Sequence, residues 1–169
     1  MAIFIITFGA FIVGILLIVS LKKVSPPTPQ EQIHFDNSDD VPKYLQDPTA
    51  FKDKCVEFLE KFNLEYVHSV WANDQELEIA MNDETPVVGG VYLALCIIDP
   101  PGQTVNAIKV KGFLDTVKGE GASRGIFITT GYFSDEAIRS IDEEPVELVD
   151  VVSFISYLKR FGIYENPSP

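Results

Sequence analysis

From Ala2 to Leu21 the chain reads AIFIITFGAFIVGILLIVSL, twenty residues without a charge, and no other feature constrains it as much. As a helix rising about 1.5 Å per residue, this run would span about 30 Å, the thickness of a bilayer's hydrocarbon core. A cleaved signal peptide would have a basic start, a shorter apolar run and a small-x-small cleavage site. Here the basic start is missing, the run is too long, and Lys22-Lys23 follows directly. The expectation is a single-pass transmembrane helix over about 2–21, within a first segment 1–23. By the positive-inside rule Lys22 and Lys23 hold the C-terminal side in the cytoplasm and leave the N-terminus outside. A bacterial inner membrane is the expected location. Ala10 and Gly14 form a small-xxx-small pair that allows close approach of another helix. Phe4, Phe8 and Phe11 share one face, available to lipid, pigment or a protein groove.

The remainder is acidic. The 169 residues hold 13 Lys+Arg against 25 Asp+Glu, a net charge of -12, yet the mean hydropathy is +0.14 because of the apolar start. Such a charge argues against a general electrostatic grip on nucleic acid, so nucleic acid is not an expected partner. Two cysteines are too few for a disulfide scaffold or a Cys-based zinc site. Residues 24–47 contain Pro26, Pro27, Pro29 and Pro42 among polar residues and read as a proline-rich linker, with Ile33, Phe35 and Tyr44 as anchors on a partner. Residues 164–169 form a polar tail.

Between them, 48–163 has the periodicity of an α/β domain. Phe51, Cys55, Phe58, Leu59 and Phe62 mark an amphipathic helix. Leu64 to Trp71 is rich in β-formers. Asp74 to Ala80 alternates, with Leu77 and Ile79 on one face and Asp74, Glu76 and Glu78 on the other. Val87 to Ile98 reads as a central strand buried on both faces. Val105, Ile108, Leu114 and Val117 indicate a second helix, and Gly125 to Thr130 another buried strand. Ser134 and Asp150 are placed to cap helices, the latter after a short strand Val146 to Val149 and before Val152, Ile155, Leu158 and Phe161.

Gly119 to Ala137, GEGASRGIFITTGYFSDEA, resembles the C-terminal half of Mrr-type restriction endonuclease domains: a small-residue turn, a Gly-Ile-Phe-Val-Thr-Thr-Gly-like strand and a Phe-Ser-x-Glu-Ala-like helix start. The likeness extends over about Phe51 to Phe161. It implies a three-layer α/β fold with a central mixed sheet, of the PD-(D/E)xK type, in which acidic residues hold a divalent metal and a lysine positions the nucleophile. It also places the family's acidic strand motif on Asn73 to Glu78, with Asp74 kept and Glu78 where the metal-binding acid belongs. The Gln-x-Lys motif of the next strand falls on Leu95-Cys96-Ile97, where aliphatic residues replace both polar groups.

That departure implies a fold inherited without its chemistry. The expected function is a non-catalytic pseudoenzyme subunit of a multi-subunit membrane complex, photosynthetic or respiratory, with no cofactor and no metal. Its partners would be the complex and the bilayer, with self-association also open. The alternative is a membrane-tethered Mrr-like nuclease or DNA-binding defence protein. It would need metal at Glu78 and a lysine from another element, Lys109 or Lys111, brought into the site. The basic stretch Lys109, Lys111, Lys118 and Arg124 otherwise balances local acids or meets a partner. His34 and His68 do not suggest a zinc pair, and Cys96 reads as a core residue.

Overall fold

Asp47 fixes where the first helix begins. Its carboxylate accepts the amide of Ala50 at 2.8 Å, and Pro48 at the first helical position needs no donor partner. Helix α1, Pro48–Glu60, then buries Phe51, Cys55, Phe58 and Leu59. The computed structural model describes residues 42–100 and 102–165. Phe4, Phe8, Ala10, Phe11, Gly14, Ile33 and Phe35 therefore lie outside the described residues, as do the expected membrane helix and most of the linker. Among the described residues no helix is long and apolar enough to cross a membrane.

Three strands follow α1: β1 (Glu65–Asn73), β2 (Glu76–Asp83) and β3 (Gly90–Ile97). After β3 come β4 (Thr104–Val105), α2 (Ala107–Gly119), β5 (Arg124–Thr129), β6 (Tyr132–Phe133), α3 (Asp135–Arg139), β7 (Val146–Val149) and α4 (Val151–Arg160). The main sheet has the order β1-β2-β3-β5-β7. Its first three strands are antiparallel, and β3, β5 and β7 run parallel. β4 and β6 form a separate parallel pair. This is the expected mixed α/β architecture with a central mixed sheet.

Two apolar layers sandwich the sheet. On one side Phe51, Phe58 and Leu59 of α1 and Phe154, Ile155 and Leu158 of α4 pack on Leu77, Ile79, Met81, Cys96 and Ile128. On the other, Val110, Phe113, Leu114 and Val117 of α2 pack on Leu95, Ile97 and Phe127. The period-2 alternation of β2 thus sends Leu77 and Ile79 to α1, and Glu76 and Glu78 to the α2 side. Ser134 and Asp150 cap α3 and α4 as expected, accepting Ala137 N at 3.1 Å and Ser153 N at 2.8 Å.

Several expectations are corrected. Tyr44, expected to anchor the linker on a partner, sits in the short 3-10 turn Lys43–Leu45, with only 3% of its surface exposed, in the chain's own core. β3 starts at Gly90 rather than Val87, because Thr85 to Gly89 forms a tight turn closed by the bond from Gly89 N to Thr85 O at 2.8 Å. The turn needs glycine there: a Cβ on Gly89 would lie 2.2 Å from the Asp83 carbonyl oxygen. Ile108 is exposed, since α2 starts at Ala107 and its buried stripe runs through Val110, Phe113, Leu114 and Val117. Val105 belongs to β4, and Phe62 lies in the turn after α1, half-exposed.

Candidate active site

The alternation of β2 and the phase of α2 converge on one cleft. It encloses about 300 Å³ and is lined by His68 and Val70 of β1, Glu76 and Glu78 of β2, Leu93 and Leu95 of β3, and Lys109, Gly112, Phe113 and Thr116 of α2. The sheet register brings these groups together: Glu78 is paired with Val70 on one side and Leu95 on the other, and Glu76 with Ile97. Gly112 leaves the cleft wall open beside Phe113, with no heavy atom within 4 Å of where its Cβ would be.

Lys109 comes from the first turn of α2. That turn is fixed by Asn106, whose side-chain oxygen accepts the Lys109 amide at 3.1 Å. The Lys109 ammonium then reaches across to the Glu76 carboxylate, forming an ion pair between α2 and β2. Glu78 is more exposed, two residues further along the same strand face. The result is a cleft with two carboxylates, one ammonium and an imidazole over an apolar floor of Leu93, Leu95 and Phe113. Leu95, in that floor, and Ile97, paired with Glu76 on β2, are both buried.

Other residues singled out in the sequence lie elsewhere. Asp74 is in the exposed turn between β1 and β2, outside the cleft lining, while Asn73 accepts the amides of Gln75 and Glu76 at 2.9 and 3.0 Å. Asp99 accepts a bond from the buried Thr129 hydroxyl at 2.6 Å and donates its amide to Thr130 Oγ1 at 2.8 Å. Thr130 N donates to Ile97 O at 3.0 Å. The Thr129-Thr130-Gly131 motif therefore braces the end of β3 beside the cleft. Lys118 pairs with Glu144 at 2.7 Å. Arg124 lines a different hollow, of about 560 Å³, with Phe58, Phe62, Tyr92 and Tyr157. Lys111 is exposed and does not line the cleft. Only Lys109 of the basic stretch enters the site. The signal for it was helical phase: 109, 112, 113 and 116 fall on one face.

The Mrr_cat family model, which describes a restriction endonuclease, matches residues 46–158. The chain belongs to this restriction endonuclease family. Among solved structures it is similar to the DNA modification-dependent restriction endonuclease AspBHI, with a TM-score of 0.51, 11% identity and 80% of this chain covered. It is also similar to the MspJI restriction endonuclease in complex with a 27-mer oligonucleotide, with a TM-score of 0.50, 19% identity and 81% of this chain covered. The chain spans 40% and 35% of those two proteins' lengths. No curated relative matches it. At these identities the structures support the fold.

The family match overturns two expectations. A role as structural subunit of a membrane complex has nothing behind it once 46–158 is identified as a restriction endonuclease domain. The case against nucleic acid as a partner also falls, since it rested on net charge. Net charge governs non-specific attraction, whereas a site of this family works through a few local groups.

Proposed function

We propose that this domain acts on DNA as a member of its family and that the cleft between β1–β3 and α2 is where a phosphodiester is held. The observation that carries this is Lys109. The family's lysine position on β3 is occupied by Ile97, and α2 delivers an ammonium into the same cleft, onto the carboxylate that Ile97 faces across the sheet. Lys109 supports one part of what a working nuclease would need here, a lysine from another element; the other part is a metal at Glu78.

The family implies a divalent metal. Among the described residues no group of three or more His, Cys, Asp or Glu forms an all-protein cage. Mg²⁺ does not require one: it takes one or two carboxylates and completes its shell with water and phosphate oxygens. Glu78 and Glu76, on one strand face, fit that demand. When bound, the ion supplies an activated water and neutralises charge on the phosphate. The chain's own residues do the rest. Glu78, on the middle strand of an antiparallel trio, would hold the ion. Glu76, now paired with Lys109, would be the second oxygen donor. Lys109, released onto an incoming phosphate oxygen, contributes a positive charge fixed by the Asn106 cap. Leu93, Leu95 and Phe113 keep the floor apolar, which strengthens each of these interactions.

The test is cleavage of supercoiled plasmid, unmodified and cytosine-methylated, by the full chain with Mg²⁺ or Mn²⁺. Methylated DNA is included because AspBHI is modification-dependent. Nicking that disappears in chelator and falls about a hundredfold in Glu78→Gln supports the proposal. A second reading, DNA binding without cleavage, is favoured by the aliphatic Leu95 and Ile97. Plasmid that is bound but never cut would establish it. On sequence alone we also propose that Ala2 to Leu21 tethers the domain to the cytoplasmic side of a membrane.

A further inference from the structure

The hollow beside Arg124 lies on the opposite face of the sheet from the cleft, where α1 and α4 pack over β3, β5 and β7. Its 560 Å³ or so falls within the range that small-molecule sites occupy. Phe58, Phe62, Tyr92 and Tyr157 supply aromatic walls, and Arg124 and Glu147 supply charge. Strand alternation places those charges. Arg124 shares a face of β5 with Ile126 and Ile128, and Glu147 shares a face of β7 with Val149, all on the side of α1 and α4. Tyr92 is paired with Arg124, and Ile126 with Glu147, so the three polar side chains stand on three neighbouring strands. We propose that this hollow binds a guanine base.

The charged groups around the hollow divide by their partners. Glu144 is held by Lys118 at 2.7 Å, and Asp83 accepts the Thr85 amide at 2.9 Å. Arg124 and Glu147 are exposed, and among the described residues neither side chain has an ion-pair or hydrogen-bond partner. The hollow thus holds an unspent planar fork of donors and an unspent two-oxygen acceptor, on adjacent strands about 5 Å apart. A flat ligand that satisfies both needs two acceptors on one edge and two donors on the next. Guanine has them: O6 and N7 accept from a guanidinium, and N1–H and the 2-amino group donate to a carboxylate. Adenine sets its N7 acceptor beside the N6 donor, so the guanidinium finds one acceptor there. The aromatic walls supply the stacking surface, with Phe62 47% exposed at the mouth. The acids nearby and the net charge of -12 disfavour a polyphosphate. Two sources of the base remain, a free nucleoside and a guanine in single-stranded DNA. Neither depends on chemistry in the cleft.

The test is equilibrium dialysis of the full chain in mild detergent, with chelator present to keep metal out of the cleft. Radiolabelled guanosine should bind at least about tenfold more tightly than adenosine, and than inosine, which lacks the 2-amino group. Arg124→Gln and Glu147→Gln change exposed residues, and urea unfolding checks that both variants fold. Each should weaken guanosine binding about tenfold, and Glu147→Gln should erase the preference over inosine. A thymidine oligomer with one central guanine, compared with its all-thymidine control, separates the sources. A guanine-dependent affinity well above that of guanosine, lost in Glu147→Gln, names single-stranded DNA; an affinity no better than guanosine's names the free nucleoside. The proposal is overturned if neither guanosine nor the guanine-containing strand is preferred over its controls. It is also overturned if the preference survives intact in either variant, since the base then sits elsewhere.

Discussion

Lys54 is a charged residue inside an apolar layer, with 6% of its surface exposed. Its ammonium donates to Glu165 Oε1 at 2.7 Å, Glu57 Oε2 at 2.8 Å and the Ile163 carbonyl at 3.0 Å, which ties α1 to the segment after α4. Burial alone would lower its pKa, but the bonds to Glu165 and Glu57 outweigh it and hold the group above the ordinary lysine value. With the folded value above the unfolded one, the stabilisation is complete below about pH 10.4 and fades as pH rises through the folded pKa. The urea midpoint of the wild type should therefore fall more steeply between about pH 10 and 12 than that of Lys54→Met. Equal slopes would contradict this role. The sequence does not signal this burial, because two of the three partners, Ile163 and Glu165, lie 109 and 111 residues away.

At the scale of elements, the close approach of α2 to β5 depends on Gly125. A Cβ there would lie 2.6 Å from Val117 Cγ2 and 2.9 Å from Phe113 Cε1, with both side chains packed in the core. Gly125→Ala should cost about 1–3 kcal/mol by overpacking, read from urea unfolding. A cost below about 0.5 kcal/mol would mean the layers have slack. Alternation and helical periodicity located every main-sheet strand and α1, α2 and α4 to within a few residues, because each buries a continuous face. β4 and β6, two residues each, carry no period and were not legible. Ile108 shows how an apolar residue in a helix can misplace the buried stripe by one position. The acidic half of the site was legible, since Glu76 and Glu78 alternate with core residues. The basic half was not fixed, because Lys109 and Lys111 were both open and only the packing of α2 against the sheet selects Lys109.

At the scale of the whole molecule, the proposed function requires an acidic body to meet an acidic polymer. Without a metal the carboxylates of the cleft add to the repulsion, and with one bound they hold a local positive centre. Duplex DNA should therefore bind at least about tenfold more tightly in Ca²⁺ than in chelator, measured by fluorescence anisotropy at fixed ionic strength. Equal affinity would place DNA elsewhere on the surface. The central claim is that Lys109 of α2 stands in for the lysine missing from β3. Its most direct test is a relocation: cleavage by Lys109→Ala and by Lys109→Ala/Ile97→Lys, alongside the wild type. Ile97 is paired with Glu76, so a lysine there faces the carboxylate that Lys109 has left. The account predicts that Lys109→Ala loses metal-dependent nicking and that the double variant regains it. Lys109→Ala cutting as fast as the wild type would contradict it.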